Sequence, residues 1–319
     1  MPAVDMPLKD LETYTGINPC PPDIDRYWAD ALAEMNAVEP NVEFVKAGFT
    51  SPVVECFDLY FTGVRGARIH AKFLKPKTDK KCPAVLQFHG YTGSCGDWSS
   101  KVGLAASGFV VAALDCRGQG GLSQDTGSVS GNTHHGHIIR GLNDDKHDML
   151  MRHIFLDTAQ LAKIVMELDY VDEKRVAAMG GSQGGALTIA CGALAPEVCM
   201  LAPAYPFLCD YKRVWEMDLA VDAYAELKEH FRRCDPMHKR EEKIFTKLGY
   251  IDLQFISKRI KGEVMMGVGL MDTICPPSTQ YAMYNKITSK KRTVIYPDFG
   301  HEGLPEFNDM TFEFFGKLL

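Results

Sequence analysis

The sequence has no excess of basic residues, no uninterrupted apolar run of membrane-spanning length and no Cys-x-x-Cys pair. Its 35 lysines and arginines stand against 41 aspartates and glutamates, which gives a formal net charge of −6. An acidic chain offers no electrostatic attraction for nucleic acid, so we expect no nucleic-acid partner. Glycine, proline and polar residues interrupt every longer apolar stretch, so we expect no membrane-spanning helix and no membrane partner.

The first seven residues lack the basic region followed by an apolar region that is typical of a signal peptide. In a secreted protein, the ten cysteines would suggest disulfides. In a chain without such a signal, we interpret them as buried thiols in a reducing compartment. The expected localisation is therefore cytoplasmic.

The 319 residues fit one large α/β domain that can bury its core without disulfides. Helical stretches separate the predicted core strands, and this alternation predicts parallel crossovers and a mostly parallel central sheet. The predicted core strands are residues 84–88, 109–114, 175–179, 200–204, 263–269 and 293–296. Residues 53–61 and 67–74 alternate in polarity and predict a β-hairpin.

Three additions to this single domain are expected: an N-terminal arm and helix at 1–40, a loop insertion at about 118–148 and a helical cap at about 206–261. The loop contains His134-His135-Gly136-His137, a candidate metal cluster. No carboxylate lies at helical spacing with these histidines and no strand fixes them, so we expect no metal ion there. No cofactor is expected elsewhere either.

Residues 180–184 read Gly-Gly-Ser-Gln-Gly, between an apolar strand and an apolar helix. Strand, G-x-S-x-G and helix together are typical of a nucleophile elbow, with Ser182 as the nucleophile. The helix N-terminus favours negative charge that develops beside the serine. A structural glycine turn is the alternative interpretation.

A serine nucleophile needs a base and an acid that orients the base, and in this type of fold the acid follows the serine in the chain. Asp272 lies just past the predicted strand 263–269. Asp298 is the alternative acid, but it lies only three positions before His301, too close for the usual geometry. Asp272 and the loop of His301 both lie at the carboxyl ends of strands, where open α/β sheets place their sites.

His301 follows the last predicted strand, in a glycine-containing loop that can carry its ring to the serine. Among the other histidines after Ser182, His230 and His238 lie in a charged helical stretch. His301 is therefore the predicted base.

An oxyanion hole needs two backbone N–H donors. One is expected from Gln183, the residue after the nucleophile. The other is expected from the loop after strand 84–88, with Tyr91 as the first choice and Gly90 as the alternative.

Tyr205-Pro206 begins the cap just after a core strand, where it either narrows the acyl pocket or only marks the turn out of the sheet. Tyr91 and Tyr205-Pro206 are therefore the candidate pocket residues.

Arg117 and Glu302 each follow a core strand on the side of the predicted site. We predict that they form an ion pair that holds down the loop of His301. The alternative is that both charges are solvated.

Three motifs occur together in one order: Arg-Gly-Gln-Gly at 117–120, Gly-Gly-Ser-Gln-Gly at 180–184 and His-Glu at 301–302. With them, nearly the whole chain resembles the carbohydrate esterase family that holds acetyl xylan esterases and cephalosporin-C deacetylases. The resemblance implies an α/β-hydrolase fold and a triad of Ser182, Asp272 and His301. It also implies hydrolysis of acetyl esters on small sugars, xylo-oligosaccharides and cephalosporin C, in a homohexamer whose sites open onto an inner cavity.

Two other enzyme classes remain, a general short-chain carboxylesterase and a peptidase of the same fold. The chain has no room for the propeller domain of an oligopeptidase, which argues against the peptidase. A non-catalytic relative is disfavoured because Ser182, Asp272 and His301 are all present.

Overall fold

The computed structural model describes residues 4–130 and 136–319. Within these ranges, nine strands form one sheet. They are β1 (Glu43–Lys46), β2 (Val54–Thr62), β3 (Arg68–Pro76), β4 (Cys82–Phe88), β5 (Val110–Leu114), β6 (Val171–Gly181), β7 (Met200–Ala204), β8 (Glu263–Gly269) and β9 (Lys291–Tyr296). The order across the sheet is β1-β2-β3-β5-β4-β6-β7-β8-β9. Strands β4 to β9 pair in parallel, whereas β1, β2 and β3 add an antiparallel edge.

The predicted α/β class with a mostly parallel sheet is confirmed. Each predicted core strand forms, and the predicted hairpin forms as β2 and β3. Strand β1 was not predicted, because it has only four residues and three of them are exposed. So short and exposed a strand has no alternation of apolar and polar residues that a pattern could detect.

Helices cover both faces of the sheet. They are α1 (Leu8–Leu11), α2 (Ile24–Asn36), α3 (Ser99–Ala106), α4 (Leu150–Met166), α5 (Gln183–Leu194), α6 (Tyr211–Glu216), α7 (Ala225–Cys234), α8 (Glu241–Leu248), α9 (Pro277–Tyr284) and α10 (Phe307–Gly316). In β4, Leu86 packs into the core that holds α4 and α5, whereas the adjacent Val85 packs with α3 and α10. Two buried faces explain why the core strands are apolar throughout.

Helix α5 is buried along its whole length, which explains its nearly uniform apolar sequence. This central helix starts at residue 183, directly after the proposed nucleophile. In the described ranges, none of the helices combines the length and the hydropathy needed to cross a bilayer.

The segment between β7 and β8 carries α6, α7 and α8 and packs against the N-terminal arm. The buried carboxylate of Asp210 accepts hydrogen bonds from the Tyr14 hydroxyl at 2.8 Å and from the Asn18 N–H at 2.8 Å. The Asp252 carboxylate, also buried, accepts from the Asp210 N–H at 3.0 Å. The Asp210 carboxylate thus fixes the arm to the segment that follows β7, and Asp252 holds Asp210 in place.

Burial, together with the charge of the neighbouring Asp210, raises the pKa of Asp252 from its ordinary 3.8 to about 7. The folded protein therefore keeps a proton that the unfolded chain has already lost, so the free energy of unfolding falls as the pH rises through this window. We expect Asp252→Asn to lose less stability between pH 5 and pH 8 than the wild type does, as measured by urea unfolding at each pH. Equal losses in the two proteins would contradict this assignment.

Candidate active site

Ser182 lies at the sharp turn between β6 and α5, with a φ of 57°. A Cβ on Gly180 would lie 2.5 Å from the carbonyl carbon of Gly184, and a Cβ on Gly184 would lie 2.1 Å from the carbonyl oxygen of Phe88. These distances leave no room for side chains, so the turn requires glycine at both positions. The left-handed backbone of the serine is a strained conformation of the kind that structures retain at functional sites.

Ser182, His301 and Asp272 form a continuous hydrogen-bonded chain. The Ser182 Oγ lies 2.9 Å from His301 Nε2, and His301 Nδ1 lies 2.9 Å from Asp272 Oδ2. A carboxylate oxygen can only accept, so His301 carries its proton at Nδ1 and turns the lone pair of Nε2 toward the serine. This arrangement can remove a proton from Ser182.

Asp272 is fully buried just after β8, and its other oxygen accepts from the N–H groups of Ile274 at 2.9 Å and Cys275 at 2.8 Å. These bonds fix the carboxylate before it meets the histidine ring. Asp298, the alternative acid, is exposed in the turn after β9. Of the two candidates, the structure brings only Asp272 to His301.

The backbone N–H of Gln183 is the first donor of α5 and has no partner within the helix, as expected at a helix N-terminus. In the described ranges, no acceptor is bonded to it or to the N–H of Tyr91. Tyr91 belongs to residues 89–93, which we term the oxyanion loop. Gly90, the alternative donor, precedes it in the same loop.

Two hydrogen bonds of the His89 ring stabilise the oxyanion loop. Its Nδ1 lies 2.8 Å from the carbonyl oxygen of Gly90, and its Nε2 accepts from the Cys116 N–H at 3.0 Å. Burial lowers the pKa of His89, so the neutral ring that these two bonds require is favoured. His89 thus links Gly90 of this loop to the chain that follows β5.

Gln119 was missed as a site residue. Its side-chain amide pairs reciprocally with that of Gln183, at 2.8 Å and 2.9 Å. The pair fixes the side chain of Gln183, whose backbone N–H is a candidate oxyanion donor. Its position in the Arg-Gly-Gln-Gly motif was the only sequence signal, since no pattern links two glutamines 64 positions apart.

This chain matches the model of a known protein family over nearly its whole length. The model for the acetyl xylan esterase family (AXE1) matches residues 1–318. The chain belongs to the acetyl xylan esterase family.

Two solved structures of acetyl xylan esterases are similar to this family member over nearly their whole length. Acetyl xylan esterase 1 from Thermoanaerobacterium sp. JW/SL YS485 is 58% identical, with a TM-score of 0.97, and the match covers 98% of this chain and 99% of that one. The acetyl xylan esterase from Paenibacillus sp. R4 is 31% identical, with a TM-score of 0.93 and coverages of 98% and 100%. The α/β-hydrolase fold implied by the resemblance is confirmed.

A curated relative, the acetyl esterase Axe7A from Xylanibacter ruminicola, is 28% identical over 294 residues, which is 90% of this chain. The chain spans only 65% of the length of that relative. The family and the two solved structures indicate a carboxylic ester hydrolase.

Tyr205 lies beside His301. Its ring centroid is 4.8 Å from that of His301, and the two rings meet edge to face. Its hydroxyl lies 3.2 Å from the position that a Cβ on Gly181 would occupy. Burial, with the charge of Asp272, raises the pKa of Tyr205, so the phenol stays neutral. Pro206 follows at the start of the cap and packs against the first turn of α5.

The predicted pair of Arg117 and Glu302 is wrong. The Arg117 guanidinium donates to both oxygens of Asp157 in α4, at 2.6 Å and 2.7 Å, and both side chains are 1% exposed. Glu302 is exposed, and among the residues that the structure describes its carboxylate accepts a single, local bond, from the Gly300 N–H. A buried guanidinium needs a buried carboxylate, and the exposed Glu302 cannot supply one. Asp157 is the one aspartate in the largely apolar sequence of α4, and this feature could have predicted a buried partner for Arg117.

Among the described residues, two groups of side chains lie close enough together to hold a metal ion. They are His70, Cys95 and Asp115, and Asp272, Cys275 and His301. In the first group, both ring nitrogens of His70 already have partners, Asp115 at 2.7 Å and Asp58 at 2.9 Å, so neither nitrogen is free to bind a metal ion. The second coincides with the chain of hydrogen bonds at Ser182. His134 and His135 of the candidate cluster lie outside the described residues.

Replacing one partner of the Arg117–Asp157 pair leaves the other charge buried and unpaired. We expect Arg117→Ala to lower the free energy of unfolding by about 3–5 kcal/mol. The double variant Arg117→Ala/Asp157→Ala should lose less than the sum of the two single losses, because each single variant includes the cost of a stranded charge.

The matched control is Glu302→Ala, which we expect to change the free energy of unfolding by less than about 0.5 kcal/mol. Denaturant unfolding of the four variants measures all these values. A loss for Glu302→Ala as large as that for Arg117→Ala would restore the original pairing.

Proposed function

We propose that this protein is a serine esterase that removes acetyl groups from acetylated sugars, with acetylated xylo-oligosaccharides as its substrates. The observation that carries the proposal is the hydrogen-bonded chain from Asp272 through His301 to Ser182, with both bonds at 2.9 Å. Membership of the acetyl xylan esterase family supports the acetyl ester as the reacting bond.

In the proposed mechanism, Ser182 Oγ attacks the acetyl carbonyl carbon while His301 Nε2 takes the hydroxyl proton. Asp272 holds the imidazole in the required tautomer and stabilises the imidazolium that forms. His301 then returns the proton to the departing sugar hydroxyl, which leaves an acetyl-serine. A water molecule, activated by the same histidine, hydrolyses this intermediate and restores the serine.

The negative charge of each tetrahedral intermediate develops on the former carbonyl oxygen. We assign its two hydrogen bonds to the N–H groups of Tyr91 and Gln183, which have no other acceptor in the described ranges. The N-terminus of α5 adds a favourable partial positive charge at the same point. A preorganised donor of this kind is typically worth about 100-fold to 1000-fold in kcat.

Three finer assignments belong to the same proposal. Cephalosporin C is a second substrate, and the protein is a homohexamer; both follow from the family resemblance. The protein is cytoplasmic, and its ten free cysteines support this assignment because disulfides are rare in a reducing compartment. A screen of acetylated xylo-oligosaccharides, cephalosporin C and longer acyl esters tests the substrates, and light scattering tests the assembly.

Ser182→Ala removes the nucleophile without filling space, so the fold should remain intact. We expect kcat for an acetyl ester to fall by about 10⁴-fold or more, with an unchanged circular dichroism spectrum. Covalent labelling by a fluorophosphonate should be lost as well. Near-native turnover by this variant would place the nucleophile at another residue.

Tyr205 restricts the room beside the reacting serine, so acetyl esters should be favoured over longer acyl chains. Tyr205→Ala should raise the ratio of butyryl to acetyl turnover by roughly 10-fold or more, since each accommodated methylene contributes about 1–3 kcal/mol. Tyr205→Phe keeps the ring and serves as the control. Equal wild-type rates on butyryl and acetyl esters would favour a general carboxylesterase instead.

A further inference from the structure

Glu226 is a glutamate of the cap helix α7, and its side chain is buried against the oxyanion loop. The residue is only 5% exposed. Its Oε1 accepts a hydrogen bond from the Tyr91 hydroxyl. Its Oε2 accepts from the backbone N–H groups of Ile138 at 2.8 Å and Ile139 at 3.1 Å. One carboxylate therefore joins the cap, the oxyanion loop and the long loop that follows β5.

The ring of Tyr91 is held on its other sides by aromatic contacts. It meets the His137 ring at 5.0 Å and the Phe207 ring at 5.4 Å, both near edge to face. The N–H of Phe207 donates to the carbonyl oxygen of Ser182 at 3.1 Å. The side chain of Tyr91 is thus packed on a residue that is itself bonded to the proposed nucleophile.

Burial of an ionisable carboxyl group at this position costs free energy. Burial raises the pKa of Glu226 to about 7, although the bonds from Tyr91, Ile139 and Ile138 act in the opposite direction. A glutamine of the same shape could bond to the same neighbours without an ionisable group.

We infer that Glu226 is a positioning residue for the oxyanion hole. By fixing the hydroxyl of Tyr91, it fixes the backbone N–H of the same residue at the point where the oxyanion develops. The inference rests on the proposed esterase function and goes beyond it, since it makes the cap part of the machinery that stabilises the transition state. Displacing a donor by about 1 Å can lower the reaction rate roughly 100-fold. A hydrogen bond that fixes the hydroxyl of Tyr91 can therefore affect catalysis.

The test separates positioning from simple structural support. Tyr91→Phe keeps the ring and the backbone N–H but removes the tethering hydroxyl. Glu226→Ala removes the acceptor, whereas Glu226→Gln can turn its oxygen to the two N–H groups and its amide to the tyrosine oxygen. We expect Tyr91→Phe and Glu226→Ala to lower kcat on an acetyl ester by about 10-fold or more, with KM within about 2-fold, while Glu226→Gln retains most of the activity.

A thionoacetate ester supplies a readout that a structural role would not move. Its sulfur accepts hydrogen bonds weakly, so it gains little from the oxyanion hole. The wild-type preference for the oxygen ester over the thiono ester should fall in Tyr91→Phe and in Glu226→Ala. The double variant should be no worse than Glu226→Ala, because both changes break one tether.

Glu242→Gln is the matched control, since Glu242 is a glutamate of the cap helix α8 whose side chain is 74% exposed. It should leave kcat and the thiono ratio unchanged. Unaltered kcat in both Tyr91→Phe and Glu226→Ala, or losses that multiply in the double variant, would overturn the inference. If Glu226→Ala does not fold, Tyr91→Phe decides alone. A wild type without acetyl-ester turnover would instead reject the proposed function, and this inference with it.

Discussion

The close contact between the serine turn and strand β4 is the constraint on which the rest of the site depends. Gly184 lies so near the carbonyl oxygen of Phe88 that a Cβ would come within 2.1 Å of it. This contact sets where α5 begins, and thus where Ser182 and the N–H of Gln183 point. Phe88 is the last residue of β4 and leads directly into the oxyanion loop. The nucleophile and both proposed oxyanion donors are therefore positioned by one packing contact in the middle of a parallel sheet.

Buried carboxylates hold the loops around this rigid centre by accepting backbone N–H groups. Asp272 holds the turn after β8, Asp115 holds the loops after β4 and β5, and Asp210 holds the N-terminal arm. Glu226 does the same for the long loop after β5. A loop lacks the regular backbone pairing of a helix, so the buried N–H groups that its turns leave unpaired need other acceptors. A carboxylate, with about four lone-pair sites, can serve several at once.

Much of the fold was predictable because the core strands carry continuous apolar sequence and are separated by helical stretches. The strand–Gly-x-Ser-x-Gly–helix pattern marked Ser182 because its steric requirement is local, within five consecutive residues. Strand β1 could not be predicted, because its exposed residues carry no such pattern. The partner of Arg117 was assigned to Glu302 on the assumption that residues at the same edge of the sheet would meet. The structure instead pairs Arg117 with Asp157, because a buried charge pairs with the carboxylate buried beside it.

The sequence by itself determined the elements and their chemistry: a parallel α/β sheet, a serine in a glycine-enforced turn, and an aspartate and a histidine after later strands. These follow from local sterics and from the rule that parallel strands end at a common edge. Only the tertiary structure decided which polar groups meet across that edge, as in the pairs of Gln119 with Gln183 and of Glu226 with Tyr91. Such contacts join residues 64 and 135 positions apart, and their geometry depends on how helices and loops pack. No periodicity in the chain encodes that packing.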